Sequence, residues 1–279
     1  MSDNDMKFSV VMPIYIHEKD DEFRLALDST FNQTVVPDEV LIVADKDIPQ
    51  NTKDILEEYK AKYPEIFNFV ILNVAATLGQ TRAIGVQMAK YDIIANMDAD
   101  DIAKNDRFEK QLKYMKEHPD IDVLGSWVTE FDGDPKNIYA QRNMPITTEE
   151  ITKFCKFRCP MCNMTIMHKK KSVLDAGNWS SLQGAEDFEL WGRMLNKGYK
   201  LENMPEYLVN VRAGKALVDR RKGFQVFGFE LAVFGIFYSY GFVTGYEYCK
   251  ALSLKFLLRI IPNWFRGFIY NNFLRKKVG

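Results

Sequence analysis

The chain has 279 residues, enough for one large α/β domain or a domain with an extension, and its 47% hydrophobic and 27% charged residues are those of an ordinary globular protein. Four Cys in a chain this long exclude a disulfide scaffold, and the polar, acidic start Met1-Ser2-Asp3-Asn4-Asp5 carries no secretory apolar region, so the expected compartment is the cytoplasm. The net charge of −1 hides an asymmetry: ten Lys or Arg face three acids between Leu217 and Gly279, a segment of +7 on a body of −8. A basic, aromatic tail points to an anionic surface as partner, and no nucleic-acid-binding motif accompanies the charge.

Residues 7–14 form an apolar run stopped by Pro13 and read as a buried strand. Residues 20–32 have helical spacing with Phe23, Leu27 and Phe31 on one face. Residues 39–44 are a second buried strand, closed by Asp45. A helix over 52–63, a strand over 67–73, a helix over 79–90 (Ile84, Val86 and Met88 inward), a strand over 91–97, a helix over 107–117 and a strand over 121–131 follow. This alternation predicts a mostly parallel sheet with helices on both faces. Residues 135–149 read as a loop or a small excursion, and 187–195 as a helix stopped by Gly198.

Residues 224–246 are apolar, with Glu230 as their one charge. They are long enough to cross a bilayer, but Glu230 and the many Tyr and Gly argue against a span. Residues 251–277 read as a basic amphipathic helix of the interfacial type, broken at Pro262, with Lys255, Arg259 and Arg266 opposite Leu252, Phe256, Ile260, Trp264 and Phe268.

The most informative stretch is Asn96-Met97-Asp98-Ala99-Asp100-Asp101. It places carboxylates at the end of a strand, the edge where open α/β sheets bind ligands. Hard oxygen ligands suit Mg²⁺ or Mn²⁺ held by one or two carboxylates together with substrate phosphates. A solvated turn is the plainer alternative. Cys155, Cys159, Cys162 and His168 include one C-x-x-C spacing, compatible with zinc but more simply read as reduced structural thiols.

Four segments, 9–15 (S-V-V-M-P-I-Y), 37–45 (P-D-E-V-L-I-V-A-D), 97–101 (M-D-A-D-D) and 185–193 (A-E-D-F-E-L-W-G-R), resemble in order and spacing the family 2 glycosyltransferases, above all bacterial enzymes of O-antigen and capsule synthesis. The resemblance runs from about residue 7 to 212. It implies a GT-A (Rossmann-like) fold over residues 1–214, with the nucleotide sugar in 7–131 and the acceptor and base region in 155–212; residues 215–279 would be a helical, membrane-associating extension. It implies an inverting transfer of a hexose from a nucleotide-diphosphate sugar, with UDP-hexose favoured, to a sugar on a polyprenyl diphosphate, at the cytoplasmic face of the inner membrane.

The same resemblance assigns Asp187 as general base and Asp98 and Asp100 as ligands of a divalent cation (Mn²⁺ or Mg²⁺). Asp98 can alternatively meet the ribose. Pro13, Tyr15 and Asp45 would contact the nucleoside, and Arg82 either the diphosphate or solvent at the surface. Glu186 and Arg193 would belong to the substrate site, and Trp179, on a loop before the base, would either stack on an acceptor sugar or pack in the core. A catalytically inactive, membrane-associated nucleotide-sugar-binding scaffold is the alternative function. A nucleotidyltransferase lacks support, because Tyr15-Ile16-His17-Glu18-Lys19 stands where its Gly-rich phosphate loop would be.

Overall fold

The computed structural model describes residues 6–213, 224–260 and 276–277. Its strands are β1 (Phe8–Ile14), β2 (Glu39–Ala44), β3 (Phe67–Ile71), β4 (Ile93–Asn96), β5 (Ile102–Ala103), β6 (Val123–Phe131), β7 (Ile138–Arg142), β8 (Met167–Lys169), β9 (Leu201–Arg212) and β10 (Lys276–Lys277). The helices are α1 (Asp20–Phe31), α2 (Gln50–Lys62), α3 (Leu78–Met88), α4 (Arg107–Glu117), α5 (Thr148–Cys155), α6 (Lys170–Ala176), α7 (Glu186–Asn196), α8 (Phe224–Ser239) and α9 (Gly245–Ile260).

The first half is the parallel sheet that the apolar runs predict, in the order β3-β2-β1-β4. Side chains alternate across it. Phe8, Val10, Met12 and Ile14 of β1 enter one core, which includes Phe23, Leu27 and Phe31 of α1. Val11 enters the other, with Val86, Leu190 and Trp191. Both faces of the sheet are therefore covered by helices. Ser9 on the second face is satisfied inside it: its Oγ donates to Glu39 Oε2 (2.6 Å) and accepts from Tyr91 N (3.2 Å).

The second half departs from the expectation of a mostly parallel sheet. β8 runs antiparallel to β4 and β6, β7 antiparallel to β6, and β5 antiparallel to β9, while β6 and β9 pair in parallel. The sheet is mixed. The segment 135–149 is not a loop: it holds β7 and the start of α5, whose N-terminus is closed by a Thr147–Glu150 capping box.

Helix α3 follows its apolar pattern only in part. Val86 is buried as expected, but Met88 is 48% exposed and Ile84 half-buried, whereas Arg82 and Gly85 are buried. Gly85 is the cause. A Cβ there would overlap Val11 Cγ1 and lie 3.4 Å from Val43 Cγ2, so only glycine lets α3 lie this close to β1 and β2.

No helix among the described residues is long and apolar enough to cross a membrane. The run 224–246 is interrupted after Ser239, with Gly241 in the left-handed region (φ 79°). Helix α8 packs on α7 instead. Phe188 meets Phe234 and Phe237 edge to face (centroids 5.7 and 5.1 Å), and Gly192 leaves room for the Phe237 ring. The amphipathic segment 251–277 does not start at 251, because α9 begins at Gly245; Lys255 on it pairs with Glu230 of α8 (2.9 Å). Pro262, Trp264, Arg266 and Phe268, and the side chains of Arg259 and Ile260, lie outside the described residues.

Candidate active site

The strand order changes direction between β1 and β4, and the crevice at such a point, beyond the strand carboxyl ends, is where open α/β sheets take ligands. β1 delivers Pro13 and Tyr15 to it and β4 delivers Asp98 and Asp100. These line a cavity of about 210 Å³ together with Arg82 and Glu18. Tyr15 donates to Thr81 Oγ1 of α3 (3.3 Å), and burial pushes its phenol up to about 12, so it stays a neutral hydroxyl.

The acidic strand end is anchored from behind. Asp101, 2% exposed, accepts from Arg212 N at the end of β9 (2.8 Å), so it ties β9 to the cluster and caps no helix. Burial, then Asp100 and Asp98, push its carboxyl well up. Fully buried Arg107 of α4 donates to Asn96 O (2.8 Å) and Gln111 Oε1 (3.0 Å), and so fixes the last residue of β4. No feature of the sequence around Arg107 separates it from a surface helix cation.

A second, roomier cavity of about 480 Å³ adjoins the first. It contains Glu186 and Asp187 from the start of α7, and both cavities are lined by Leu78, Arg82, Asp98 and Met164. Arg82 is the junction. Its Nη2 donates to Asp98 Oδ1 (2.9 Å) and its Nη1 to Glu186 Oε1 (3.0 Å), with the Arg82 and Glu186 side chains both under 10% exposed. The Asn163 carboxamide, with its oxygen toward Arg82, accepts from Nε and Nη2 at 3.0 Å each. Gly79 allows this meeting, since a Cβ there would overlap Ser180 O and crowd Glu186.

Asp187 caps no helix end either. The N-cap of α7 is Ala185, which makes no side-chain bond. Asp187 Oδ1 accepts from Phe188 N (2.7 Å), and Oδ2 faces the Cys159 thiol (3.9 Å). Burial pushes the Asp187 and Glu186 carboxyls up, and Arg82 pulls both down. Asp187 is thus a half-buried carboxylate at a cavity wall with room for a proton.

The remaining candidates are placed differently. Asp45 sits half-buried at the end of β2, close enough to Tyr15 to act on it electrostatically, but it lines neither cavity. Trp179 is 4% exposed and packs against Trp191 (5.7 Å, edge to face) and His168 (5.6 Å). Arg193 spends its donors on Glu189, Ala176 O and Asn178 O. Neither of the last two lines either of these cavities. Among the described residues no group of three His, Cys, Asp or Glu could hold a metal, and His168 is fully buried and packs against Trp179.

The sequence matches the Glycosyl transferase family 2 pattern over residues 9–174. It is 33% identical over 271 residues to an uncharacterized glycosyltransferase of Haemophilus influenzae, covering 97% of this chain and 100% of that one. It is 29% identical over 276 residues to the UDP-Gal:alpha-D-GlcNAc-diphosphoundecaprenol beta-1,3-galactosyltransferase of Escherichia coli, with 99% of each chain covered. In fold it is similar to S. aureus TarS 1-349 in complex with UDP-GlcNAc, with a TM-score of 0.62 at 17% identity, covering 82% of this chain and 66% of that one. The mixed sheet, the carboxylate-bearing end of β4 and the family match together establish that the chain belongs to glycosyl transferase family 2 and has its GT-A fold.

Proposed function

We propose that the protein transfers a hexose from a nucleotide-diphosphate sugar, UDP-hexose in our reading, to a sugar on a polyprenyl diphosphate, with inversion at the anomeric carbon, during assembly of a surface polysaccharide such as O-antigen or capsule. The observation that carries this is the meeting of two cavities at Arg82 and Asp98, one walled by Asp100 and the other by Asp187. A single displacement needs this layout: leaving group on one side, attacking hydroxyl on the other. The name of the Escherichia coli relative supports the donor and acceptor classes.

In this reading Pro13, Tyr15 and Asp45 hold the nucleoside. Asp98 and Asp100 would hold a divalent cation, Mn²⁺ or Mg²⁺, because carboxylate oxygens at a cavity wall are the hard donors such an ion takes. When bound, such an ion neutralises the charge on the departing diphosphate. Asp187 takes the proton of the acceptor hydroxyl as its oxygen bonds to the anomeric carbon and the carbon–phosphate-oxygen bond breaks; a positioned base contributes ~10²–10⁴-fold. Glu186 acts by holding Arg82, which supports a positioning role over a direct grip on the acceptor.

We place the enzyme peripherally at the cytoplasmic face of the inner membrane, held by the basic tail. The test is transfer from a panel of nucleotide sugars to a synthetic GlcNAc-diphosphate-lipid with Mn²⁺. Asp187→Asn should keep donor-induced thermal stabilisation and lose transfer, and Asp100→Ala should lose the metal-dependent part of that stabilisation. Near-normal turnover by Asp187→Asn would overturn the assignment of the base.

A further inference from the structure

The second cavity carries cations that the transfer chemistry leaves unused. Arg158, in the turn after α5, and Lys255, on α9, line the same cavity as Asp187, with Val226 and Phe229 of α8 beside them. A third, Arg142, is held by Glu130 through Nε (3.1 Å) and Nη2 (2.8 Å). In our reading the donor phosphates belong with Asp98 and Asp100 in the other cavity. An acceptor hexose is neutral and calls for no cation.

Resting on the lipid-linked acceptor reading, we propose that Arg158 and Lys255 form a subsite for the diphosphate that links the acceptor sugar to its lipid. The two residues are almost a hundred positions apart, yet the docking of α8 and α9 brings both to the lining of one cavity. The Arg158 guanidinium carbon lies 5.7 Å from the centre of the Phe154 ring, a cation–π contact that helps hold it. Lys255 is kept in place by Glu230, both side chains less than 20% exposed. Half-buried cations that line one cavity favour an incoming dianion, and guanidinium and ammonium groups are the side chains suited to phosphate. The same turn of α9 exposes Leu254, Phe256 and Leu257 by 45–54%, an apolar surface next to the point where the lipid would leave the diphosphate. The helices that close the cavity would thus read the carrier, while Asp187 reads the sugar hydroxyl.

The test compares two acceptors of the same sugar, an alkyl-diphosphate-linked form and a neutral alkyl glycoside, with direct calorimetry of an alkyl diphosphate as second measurement. The wild-type protein should favour the diphosphate acceptor in KM. In Arg158→Gln/Lys255→Gln that preference should shrink by about tenfold to a hundredfold, the size expected for lost charge-assisted hydrogen bonds, with UDP-induced thermal stabilisation unchanged and alkyl diphosphate binding lost. Arg158→Lys should recover part of the preference. Equal use of both acceptors by the wild type, or an unchanged preference in the double variant, overturns the subsite while leaving the transfer reading intact. Transfer to neither acceptor, with alkyl diphosphate bound through Arg158 and Lys255, supports the subsite and removes the acceptor sugar from the reading. Transfer to neither and no binding overturns both.

Discussion

Asp98 and Glu186 share one guanidinium, that of Arg82, although 88 positions of sequence separate them (16 from Arg82 to Asp98 and 104 from Arg82 to Glu186). The donor-side aspartate and the first residue of the base helix are thereby mechanically coupled. Removing one partner of a buried ion pair leaves the other charges uncompensated, at about 3–5 kcal/mol. Arg82→Met should lose stability on that order in urea unfolding, and the residual enzyme should be defective in donor binding and in transfer together. A defect confined to one of the two would contradict the coupling.

The same guanidinium sets the pH range of the base. Asp187 must be ionised to accept a proton, burial raises its pKa and Arg82 lowers it. The acid limb of kcat/KM should therefore lie above the ordinary Asp range near 3.9, and its midpoint describes the Glu186–Asp187 pair rather than either alone. Activity should fall as pH drops through that limb. In Arg82→Lys, with a weaker bridge, the limb should move to higher pH; a pH–rate profile shows whether it does.

How much of this was legible beforehand differs along the chain. β1, β2 and β4 are continuous apolar runs ended by Pro or Asp, and burial on both faces makes such strands conspicuous. β5, β8 and β10 have two or three residues each, too few for any period, and β7 reads I-Y-A-Q-R, polar enough to pass for a loop. The capping box of α5 at Thr147 and Glu150 was a usable local signal for that region. Asp98, Asp100 and Asp187 stand out because clustered carboxylates recur in the family. Arg82 could be named, but its bonds to Glu186 and Asn163 could not, and neither could the shared cavity of Lys255 and Arg158, since each depends on the packing of elements distant in sequence. For Trp179 the sequence leaves a sugar-stacking and a core role open, and the structure gives it the core role; Arg193 looks like a ligand because guanidinium groups bind sugars, but its partners brace a helix.

His168 provides a stability switch. It is fully buried, and burial lowers its pKa to about 4 from 6.5. The unfolded chain then binds the proton more readily, so this contribution is complete above pH 6.5 and is lost as pH falls toward 4, roughly 3 kcal/mol in all. Denaturant unfolding of wild type and His168→Met between pH 7 and 4 should show a difference that narrows in that direction and levels off below 4. A constant difference would mean that the buried ring titrates normally.

Two glycines in helices should respond oppositely to alanine. At Gly85 the new methyl meets Val11 and Val43, and overpacking at about 1–3 kcal/mol outweighs the ~1 kcal/mol gain in helix propensity. Gly85→Ala should lower the melting temperature and, by displacing α3 and Arg82, the turnover. At Gly235 of α8 a Cβ has nothing within 4 Å, so Gly235→Ala should gain up to ~1 kcal/mol.

The position of a truncation decides what a membrane-recovery experiment measures. Cutting after residue 213 removes Phe234 and Phe237, both fully buried against Phe188 beside the base, and each such ring is worth ~1.5–3 kcal/mol. That variant should lose activity and solubility for reasons unrelated to lipid. Cutting after residue 260 keeps α8 and α9 and removes Arg266, Arg275, Lys276 and Lys277 with the aromatic residues among them. At roughly 1 kcal/mol per basic residue near an anionic surface, vesicle binding should weaken by up to about a thousandfold and be salt-sensitive in the full chain. Turnover of a water-soluble acceptor should persist. Unchanged partition of the shorter chain onto anionic vesicles would show that the tail is not the anchor and would shift attention to the exposed Leu254, Phe256 and Leu257 of α9.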